Sequence, residues 1–520
     1  MKRAIATLFL SLFLLPVFSQ RPIDVLQYKF GITLSDNSNE IYGKSTIRFK
    51  VLEPVKKIYF DLKRINSQTK GMMLISVLEN NKKLTAYHAS DSVEIDFASP
   101  LIAGEEKEIV ITYLGTPADG LIISTNMFDK RTFFSDNWPN RAHQWIPCID
   151  DPADKASVEF LITAPAHYKV VANGMLVAER TLTGNKKLTH WRETVPLPTK
   201  LMVIGVADFA VSPPVMIKGI PVTSWVFEEN KTEGFSDYSI AGNILSFFIN
   251  YIGNYPYKKL ANVQSKTIFG GMENASAIFY YENSVNGKKN HESLFAHEIV
   301  HQWFGDMATE KSFAHVWLSE GFATYLTHIF IESKYGTDSL NGEMKNDRQQ
   351  IINFSKTNKQ PIVDSVSPLL ELLNTNSYQK ASWVLHMLRR ELSDIVFRQC
   401  VRKYYATYAG KNADTRDLQK VFEEVSGKDL SVFFDQWLYK SGIPKLDIRW
   451  SYSESSKKIT VTLTQLQKDI FQFPIEIESS TVEVTDAVKI VEIPADEKPA
   501  TLNIDPNVSL LFEATVTEVK

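Results

Sequence analysis

The chain has 520 residues, of which 44% are hydrophobic and 22% are charged, as in an ordinary globular protein. Its formal net charge is -3, so the sequence lacks the basic character of nucleic-acid-binding proteins, and we expect no nucleic-acid partner. A chain of this length suggests about three domains.

Residues 1–19 have the order of a secretory signal peptide. Lys2 and Arg3 precede an apolar run at 4–17, and the small Ser19 follows at a suitable cleavage position. The alternative is a retained membrane anchor, but the run is shorter than the roughly 20 residues that cross a bilayer. We therefore expect a cleaved signal peptide, an exported protein that is periplasmic or extracellular, and no stable membrane insertion after cleavage.

Residues 20–210 are predicted to form an N-terminal all-β domain. Apolar and polar residues alternate at 45–51 and at 92–97, which is typical of strands with one buried face. Asn173 and Gly174 form a turn signal within this region.

The two cysteines, Cys148 and Cys400, lie far apart in the sequence. Large cores do not need disulfides, even in exported proteins. We therefore expect two buried free thiols, with a single disulfide as the alternative.

Residues 211–441 are predicted to form a mainly helical domain with a small sheet. Apolar residues recur at helical spacing at 237–252. Two strand-like segments lie at 259–264 and at 276–281.

Residues 442–520 are predicted to form a small C-terminal β-sandwich. Strand-like patterns recur there at 459–463, 481–485 and 501–504. Together, the three regions predict a multidomain α+β fold.

The segment from His297 to His301 has the pattern H-E-x-x-H. At roughly 100° per residue, histidines four positions apart project from one face of a helix, one turn apart, as two ligands of a tetrahedral zinc require. Glu298 lies beside them, where it could take a proton from a water that the metal activates. Asn290 is predicted to cap this helix and Gly305 to end it. The alternative is a surface helix with two solvated histidines.

A second apolar helix is predicted at 317–326, and it carries Glu320 among apolar neighbours. A buried carboxylate is costly unless it is paired or bound to a metal. Glu320 is therefore the predicted third ligand of one Zn²⁺ per chain, which leaves a fourth position for water.

Four segments, in this order along the chain, resemble motifs of the gluzincin zinc aminopeptidases, the aminopeptidase N family. They are the P-C-x-D-x-P stretch and the lysine and alanine after it (146–156), the G-x-M-E-N exopeptidase motif (270–274), the zinc motif (297–301, followed by 18 residues and then Glu320) and the catalytic tyrosine segment (377–381). The resemblance covers about residues 25–445. It implies a β N-terminal domain followed by a thermolysin-like catalytic domain.

The resemblance also implies an activity, the zinc-dependent removal of N-terminal residues from peptides with free N-termini. Glu298 would be the general base and would pass its proton to the leaving amine. Tyr378 would stabilise the oxyanion through its phenol. The alternative for Tyr378 is a tyrosine that only packs in the core.

Three further interpretations concern substrate binding by the segment around Glu273. Its carboxylate would pair with the substrate's free α-ammonium and so set the cut one residue from the end. Gly270 and Gly271 would permit close approach of an extended substrate, and Met272 would form an apolar wall. The alternatives are a plain turn and a solvated surface charge.

The family usually has a glutamine in the β domain that contacts the substrate's amino group. The equivalent position here falls at Ser135 and Asp136, so Asp136 is a candidate for that contact. The alternative is an ordinary loop aspartate.

Other functions stay open on the sequence alone. A zinc endopeptidase of thermolysin type would share the metal ligands but would not need the 270–274 segment. A second hydrolase activity at the same site is also open. A catalytically inactive peptide-binding protein is the remaining alternative, although all ligands, the base and the tyrosine are intact.

Overall fold

The computed structural model describes residues 21–519, so the predicted signal peptide lies outside the described residues. Within them, a β-rich region leads into a mainly helical region and then into a final group of strands. The predicted multidomain α+β fold is therefore confirmed. No helix in this part of the chain is long and apolar enough to cross a membrane.

Strands of the N-terminal β region form because buried and exposed side chains alternate along them. In the second strand, for example, Ile41, Ile47 and Phe49 point into the core. The strands are β1 (Ile23–Thr33), β2 (Ile41–Val51), β3 (Val55–Asp61), β4 (Gly71–Glu79), β5 (Lys82–Lys83), β6 (Thr85–Ala89), β7 (Ser92–Leu101), β8 (Glu106–Thr116), β9 (Leu121–Thr125), β10 (Arg131–Ser135), β11 (Ala156–Pro165), β12 (Lys169–Ala172), β13 (Met175–Leu182), β14 (Lys186–Leu197) and β15 (Ile204–Ala207).

These strands form an eight-stranded sheet with the order β13-β14-β11-β1-β2-β8-β4-β5, a four-stranded sheet with the order β12-β15-β10-β9 and a three-stranded sheet with the order β3-β7-β6. In the largest sheet, β1 runs parallel to β11 and antiparallel to β2. Cys148, on the loop before β11, is a buried free thiol, and so is Cys400 in the helical region, as predicted.

The middle region begins with a six-stranded sheet. Its strands are β16 (Phe209–Val211), β17 (Val215–Ile217), β18 (Ile220–Phe227), β19 (Leu260–Gln264), β20 (Gly271–Met272) and β21 (Ala277–Tyr280). The order is β16-β18-β19-β21-β20, with β17 also paired to β18, so β20 is an edge strand. The two predicted strands at 259–264 and 276–281 are therefore present as neighbours, β19 and β21.

Helices make up most of the rest of this region. They are α1 (Lys231–Tyr238), α2 (Ala241–Tyr251), α3 (Glu292–His301), α4 (Trp317–Tyr335), α5 (Thr337–Ser355), α6 (Ala381–Leu392), α7 (Asp394–Tyr408), α8 (Thr415–Ser426) and α9 (Ser431–Phe434). Two short strands, β22 (Thr309–Glu310) and β23 (Asn412–Ala413), pair with each other. A π-helical turn at Asn376–Lys380 runs directly into α6.

One helix that the sequence predicts is two helices in the structure. The predicted helix at 237–252 is interrupted between α1 and α2. The backbone N–H and the hydroxyl of Ser239 both donate to Ser236 O, and this local bonding competes with continuation of the helix.

The C-terminal region consists of β24 (Lys445–Ser453), β25 (Lys458–Gln465), β26 (Phe473–Ile477), β27 (Ser480–Val484), β28 (Val488–Pro494) and β29 (Glu513–Glu518). They form one sheet with the order β28-β25-β24-β29 and a separate hairpin of β26 and β27. The predicted strand at 501–504 is wrong, since Ile504 makes only an isolated bridge to Ile477. The chain bends there, because Asp505 has a φ of 51° and accepts the Ser509 N–H.

Buried ion pairs join the three regions. Lys200, after β14, pairs with Glu310 on β22, and both side chains are almost fully buried. Arg348 on α5 pairs with Asp505 in the C-terminal region, and its guanidinium lies over the ring of Trp383. The helical region is therefore fixed to its neighbours on both sides by charge as well as by apolar contact.

Candidate active site

A cavity of about 240 Å³ opens beside α3, α4 and β20. It brings together all of the predicted site residues except Asp136. The residues that line it are Trp138, Phe269, Gly270, Gly271, Met272, Glu273, Leu294, His297, Glu298, His301, Glu320, Leu373 and Tyr378.

The three predicted metal ligands meet at one end of this cavity. His297 Nε2 and His301 Nε2 are 3.1 Å apart, and they lie 3.2 Å and 3.3 Å from Glu320 Oε2. Tetrahedral zinc with bonds of about 2.0–2.2 Å would place its ligand atoms roughly 3.3–3.5 Å apart. The donor set and its spacing therefore fit a zinc ion without rearrangement of either helix.

The helix that carries both histidines differs slightly from the prediction. It starts at Glu292, with His291 rather than Asn290 at the cap position, because the Asn290 side chain accepts a bond from Asn286. It ends at His301, before Gly305.

Gly305 nevertheless has a specific function behind the site. Its φ is 110°, and a Cβ atom there would come within 2.1 Å of Ser319 Oγ. Ser319 Oγ lies 3.0 Å from His301 Nδ1, and Phe304 O lies 3.1 Å from the same nitrogen. If Nδ1 carries the proton and donates to Phe304 O, the Nε2 lone pair of His301 faces the metal position.

Charges around these ligands also favour a cation. Burial opposes ionisation of Glu320, but His301 and His297 outweigh it and hold its pKa below the usual range. Burial likewise lowers the pKa of His301, whereas Glu320, Glu273 and Glu298 together raise it to about 10. Three carboxylates around one imidazole create a negative potential that a divalent cation would neutralise.

Glu298 lies next to the ligand pair and is only 5% exposed. Burial, reinforced by the charges of Glu273 and Glu320, raises the pKa of Glu298 well above its usual value. A carboxylate with a raised pKa is a better proton acceptor near neutral pH than a solvated one. Its chemistry therefore matches the predicted base.

Tyr378 lies on the π-helical turn before α6 and lines the same cavity. Its ring stacks on that of His297, with the centroids 5.8 Å apart. Burial and the nearby carboxylates, first among them Glu320, raise the pKa of Tyr378 well above its usual value. The phenol therefore keeps its proton and can donate a hydrogen bond into the cavity.

Glu273 directly follows β20 and is 2% exposed. Its backbone oxygen accepts from Gln302 Nε2, which fixes the main chain at this point. Its Oε1 accepts no hydrogen bond from the residues that the structure describes. Burial raises the pKa of Glu273. An unpartnered oxygen of a buried carboxylate is a ready acceptor for a cationic group of a ligand.

Asp136 lies outside the cavity lining and is fully buried. One oxygen accepts from Arg141 Nη2 at 2.7 Å, and the other accepts from Thr267 Oγ1 at 3.1 Å and Ile268 N at 3.0 Å. Because both oxygens are already occupied, this placement does not support the predicted contact with a substrate ammonium.

Sequence reasoning missed four apolar residues of the lining, namely Trp138, Phe269, Leu294 and Leu373. Leu294 could have been found, since it lies three positions before His297 on the same helix face. Phe269 directly precedes the Gly270–Asn274 segment, which is a weaker signal. Trp138 and Leu373 come from distant segments, and no local pattern marks them.

Comparison with family models finds two matches that together cover more than half of the chain. Residues 25–201 match the peptidase M1 N-terminal domain, and residues 237–437 match the peptidase family M1 domain. Both matched segments contribute residues to the cavity or its support.

Among curated proteins, Aminopeptidase M1-C of Oryza sativa subsp. japonica is 30% identical over 330 residues, which is 59% of this chain and 37% of that protein. Probable aminopeptidase 2 of Sulfurisphaera tokodaii is 25% identical over 511 residues, or 91% of this chain and 63% of that protein. Glutamyl aminopeptidase of Bitis rhinoceros is 28% identical over 332 residues, or 60% and 35%. The aligned part of the chain thus spans between about a third and two thirds of the length of these relatives.

Proposed function

The chain belongs to the peptidase M1 family, and from this premise we propose that it is a zinc-dependent aminopeptidase acting on peptides with a free N-terminus. The observation that carries the proposal is the buried, unpartnered carboxylate oxygen of Glu273 beside the three metal ligands. A metal site alone suits either an internal or a terminal bond. A fixed anion next to it favours the terminal one.

His297, His301 and Glu320 would hold one Zn²⁺, which when bound would lower the pKa of a water and polarise the scissile carbonyl. Glu298 would accept the proton of the attacking water and deliver it to the leaving amine. Tyr378 would donate a hydrogen bond to the oxyanion of the tetrahedral intermediate. His297, Glu298 and His301 reach the cavity from α3, Glu320 from α4 and Tyr378 from the π-helical turn before α6, so their relative positions are set by the fold.

Polarity of cleavage would depend on Glu273. The α-ammonium of the first residue would pair with its free oxygen in a charge-assisted hydrogen bond. The backbone of the substrate would lie along β20, whose place at the sheet edge leaves one side for an extended chain. The first peptide bond would then lie at the metal, and one residue would be released per cycle.

The test of this proposal compares free peptides with the same peptides N-acetylated. Wild-type protein should shorten free peptides one residue at a time and leave acetylated ones nearly intact. Glu273→Gln should reduce kcat/KM for free peptides by about 10–100-fold, which corresponds to the 1.5–3 kcal/mol of a hydrogen bond to a charged group. Glu282→Gln is the control, because Glu282 pairs with Lys266 outside the cavity.

Two outcomes would favour the other functions. Internal cleavage of acetylated peptides as fast as of free ones would indicate an endopeptidase of thermolysin type. Zinc and peptide binding without turnover would indicate an inactive peptide-binding protein.

Gly271 gives a second test, at the floor of the cavity. A Cβ atom at Gly271 would lie 2.3 Å from Glu298 Oε1, whereas one at Gly270 would meet only Leu294 Cδ1, at 3.7 Å. Gly271→Ala must therefore displace the base, and we expect kcat/KM to fall about 10²-fold, as for a misplacement of about 1 Å. Gly342→Ala is the control and should stay close to wild-type activity, because Gly342 lies on α5 outside the cavity lining and a Cβ atom there would meet nothing within 4 Å. Equal activity of the two variants would contradict the placement of Glu298.

We also propose that the protein acts outside the cytoplasm. The signal-like segment 1–19 is the basis of this proposal. N-terminal sequencing of the exported protein would support it by reading a start near Gln20 and would contradict it by reading Met1.

A further inference from the structure

Two aromatic rings, those of Trp138 and Phe269, form an apolar wall of the cavity. Trp138 comes from the N-terminal β region, and Phe269 comes from the segment just before Gly270. Their rings meet edge to face, with centroids 6.2 Å apart, and Trp138 packs in the same way on Phe313 at 5.8 Å. Because the two rings belong to different regions of the chain, tertiary contacts must hold them at this distance.

Arg141 contacts both halves of this wall. Its Nε donates to Trp138 O at 2.8 Å, and its guanidinium carbon lies 5.9 Å from the centre of the Phe269 ring. The residue is 9% exposed, so its charge needs partners, and the half-exposed Asp119 accepts from Nη1 at 3.0 Å.

Asp136 is the buried partner of Arg141, and it also reaches across to the Phe269 segment. It binds Arg141 Nη2 through one oxygen and the Thr267 hydroxyl and Ile268 N–H through the other. The ion pair therefore links the segment 136–141 to the segment 267–268. Trp138 lies between Asp136 and Arg141 in the sequence, and Phe269 directly follows Ile268, which Asp136 contacts.

We propose that the Asp136–Arg141 ion pair is a positioning pair that holds Trp138 and Phe269 as a wall for the side chain of the substrate's first residue, and that this side chain is large and apolar. The inference rests on the proposed aminopeptidase function. Apart from the groups assigned to the metal, the proton transfer and the α-ammonium, the lining offers glycines and apolar side chains. A charged first side chain would lose its hydration there without gaining a partner.

The experiment compares Asp136→Asn with a matched control, Asp505→Asn. Asp505 forms the same kind of buried pair with Arg348 and likewise accepts backbone N–H groups, but it lies in the C-terminal region. The measured quantity is the ratio of kcat/KM for a free phenylalanyl reporter to that for a free alanyl reporter. We expect this ratio to fall about 10-fold in Asp136→Asn, mainly through KM, which is the size of a lost methylene-scale contact. It should not change in Asp505→Asn, and both variants should keep wild-type zinc content.

Arg141→Lys provides a second variant if Asp136→Asn does not fold. It keeps a positive charge beside Asp136 but loses the planar group that contacts Trp138 O and Phe269. We expect a fall of the ratio that is smaller than in Asp136→Asn. An unchanged ratio in the folded variants, or the same fall in Asp505→Asn, would overturn the positioning function. Faster turnover of a glutamyl or lysyl reporter than of the phenylalanyl one by wild-type protein would overturn the substrate class.

Hydrogen–deuterium exchange separates this inference from the proposed function. Asparagine has one acceptor oxygen and cannot accept from both Arg141 and the Ile268 N–H as Asp136 does, so exchange in the segment 267–273 should be faster in Asp136→Asn, and Asp505→Asn should leave that segment unchanged. If wild-type protein hydrolyses no free aminoacyl reporter, the proposed function and the substrate class fail together. Hydrogen–deuterium exchange then still tests whether the Asp136–Arg141 pair holds Trp138 and Phe269 in place. Equal exchange of the segment 267–273 in wild type and Asp136→Asn would overturn that positioning function.

Discussion

A Glu298→Gln variant should keep its zinc and lose most of its turnover. Glutamine has nearly the same size as glutamate but cannot accept the proton of the attacking water. General acid–base catalysis contributes about 10²–10⁴-fold, so we expect kcat to fall by that amount. The measurement is kcat with a free aminoacyl reporter, together with elemental analysis of the same sample for zinc.

Glu292→Gln is the control for this variant, because it changes a carboxylate on the same helix. Glu292 lies in the first turn of α3 and contacts Lys334 and Tyr335 at the surface. The Glu292→Gln variant should retain nearly wild-type kcat. A zinc-loaded Glu298→Gln protein with near-normal kcat would remove Glu298 from the function of base.

Glu320→Gln should weaken zinc binding, whereas Glu298→Gln should affect only the proton transfer. Loss of the anionic ligand leaves two histidines, and even residues that only orient ligands change metal affinity by about 10–100-fold. We therefore expect the zinc affinity to fall by more than about 100-fold and the activity to disappear at ordinary zinc concentrations. Elemental analysis after dialysis, followed by a zinc titration of activity, measures both effects.

Glu332→Gln tests whether any change to α4 would have the same result. Glu332 lies on the same helix and pairs with Arg389 at 2.7 Å, away from the cavity. The zinc content of the Glu332→Gln variant should equal that of the wild-type protein. Equal zinc in the Glu320 and Glu332 variants would contradict the ligand set.

The candidate metal site could be predicted from the sequence because the geometry of its two histidines is local. His297 and His301 are one helical turn apart, and that spacing alone places both imidazoles on one face. Glu320 required a second argument, the cost of burying a carboxylate, and the structure places its Oε2 3.2 Å from His297 Nε2.

Glu273 and Tyr378 depended on the family resemblance instead. A single glutamate or tyrosine carries no local signal, and the structure brings these two to the cavity through tertiary contacts. Trp138 and Phe269 show the limit of sequence reasoning, since their edge-to-face contact joins segments 131 positions apart in sequence. Asp136 stays an open candidate on the sequence alone, because its burial and its ion pair with Arg141 are also set by tertiary structure.

The secondary structure could likewise be predicted from the sequence in part. Strands with strict alternation, such as β2, were found because one buried face imposes a period of two. Two secondary-structure predictions were wrong where a polar side chain forms a hydrogen bond with the backbone. Ser239 interrupts a helix that its apolar spacing would have continued, and Asp505 bends a segment whose composition suits a strand.

The buried ion pairs between regions limit how the chain can be divided. A fragment restricted to residues 237–437, the span of the peptidase family M1 domain, would keep Glu310 and Arg348 but lose Lys200 and Asp505. Such a cut would break both pairs and expose to water the surfaces that bury them, and a domain is stable by only about 5–15 kcal/mol. The candidate catalytic side chains are concentrated in one segment, yet we expect the smallest autonomously folding unit, for truncation or for transplantation into another protein, to include all three regions.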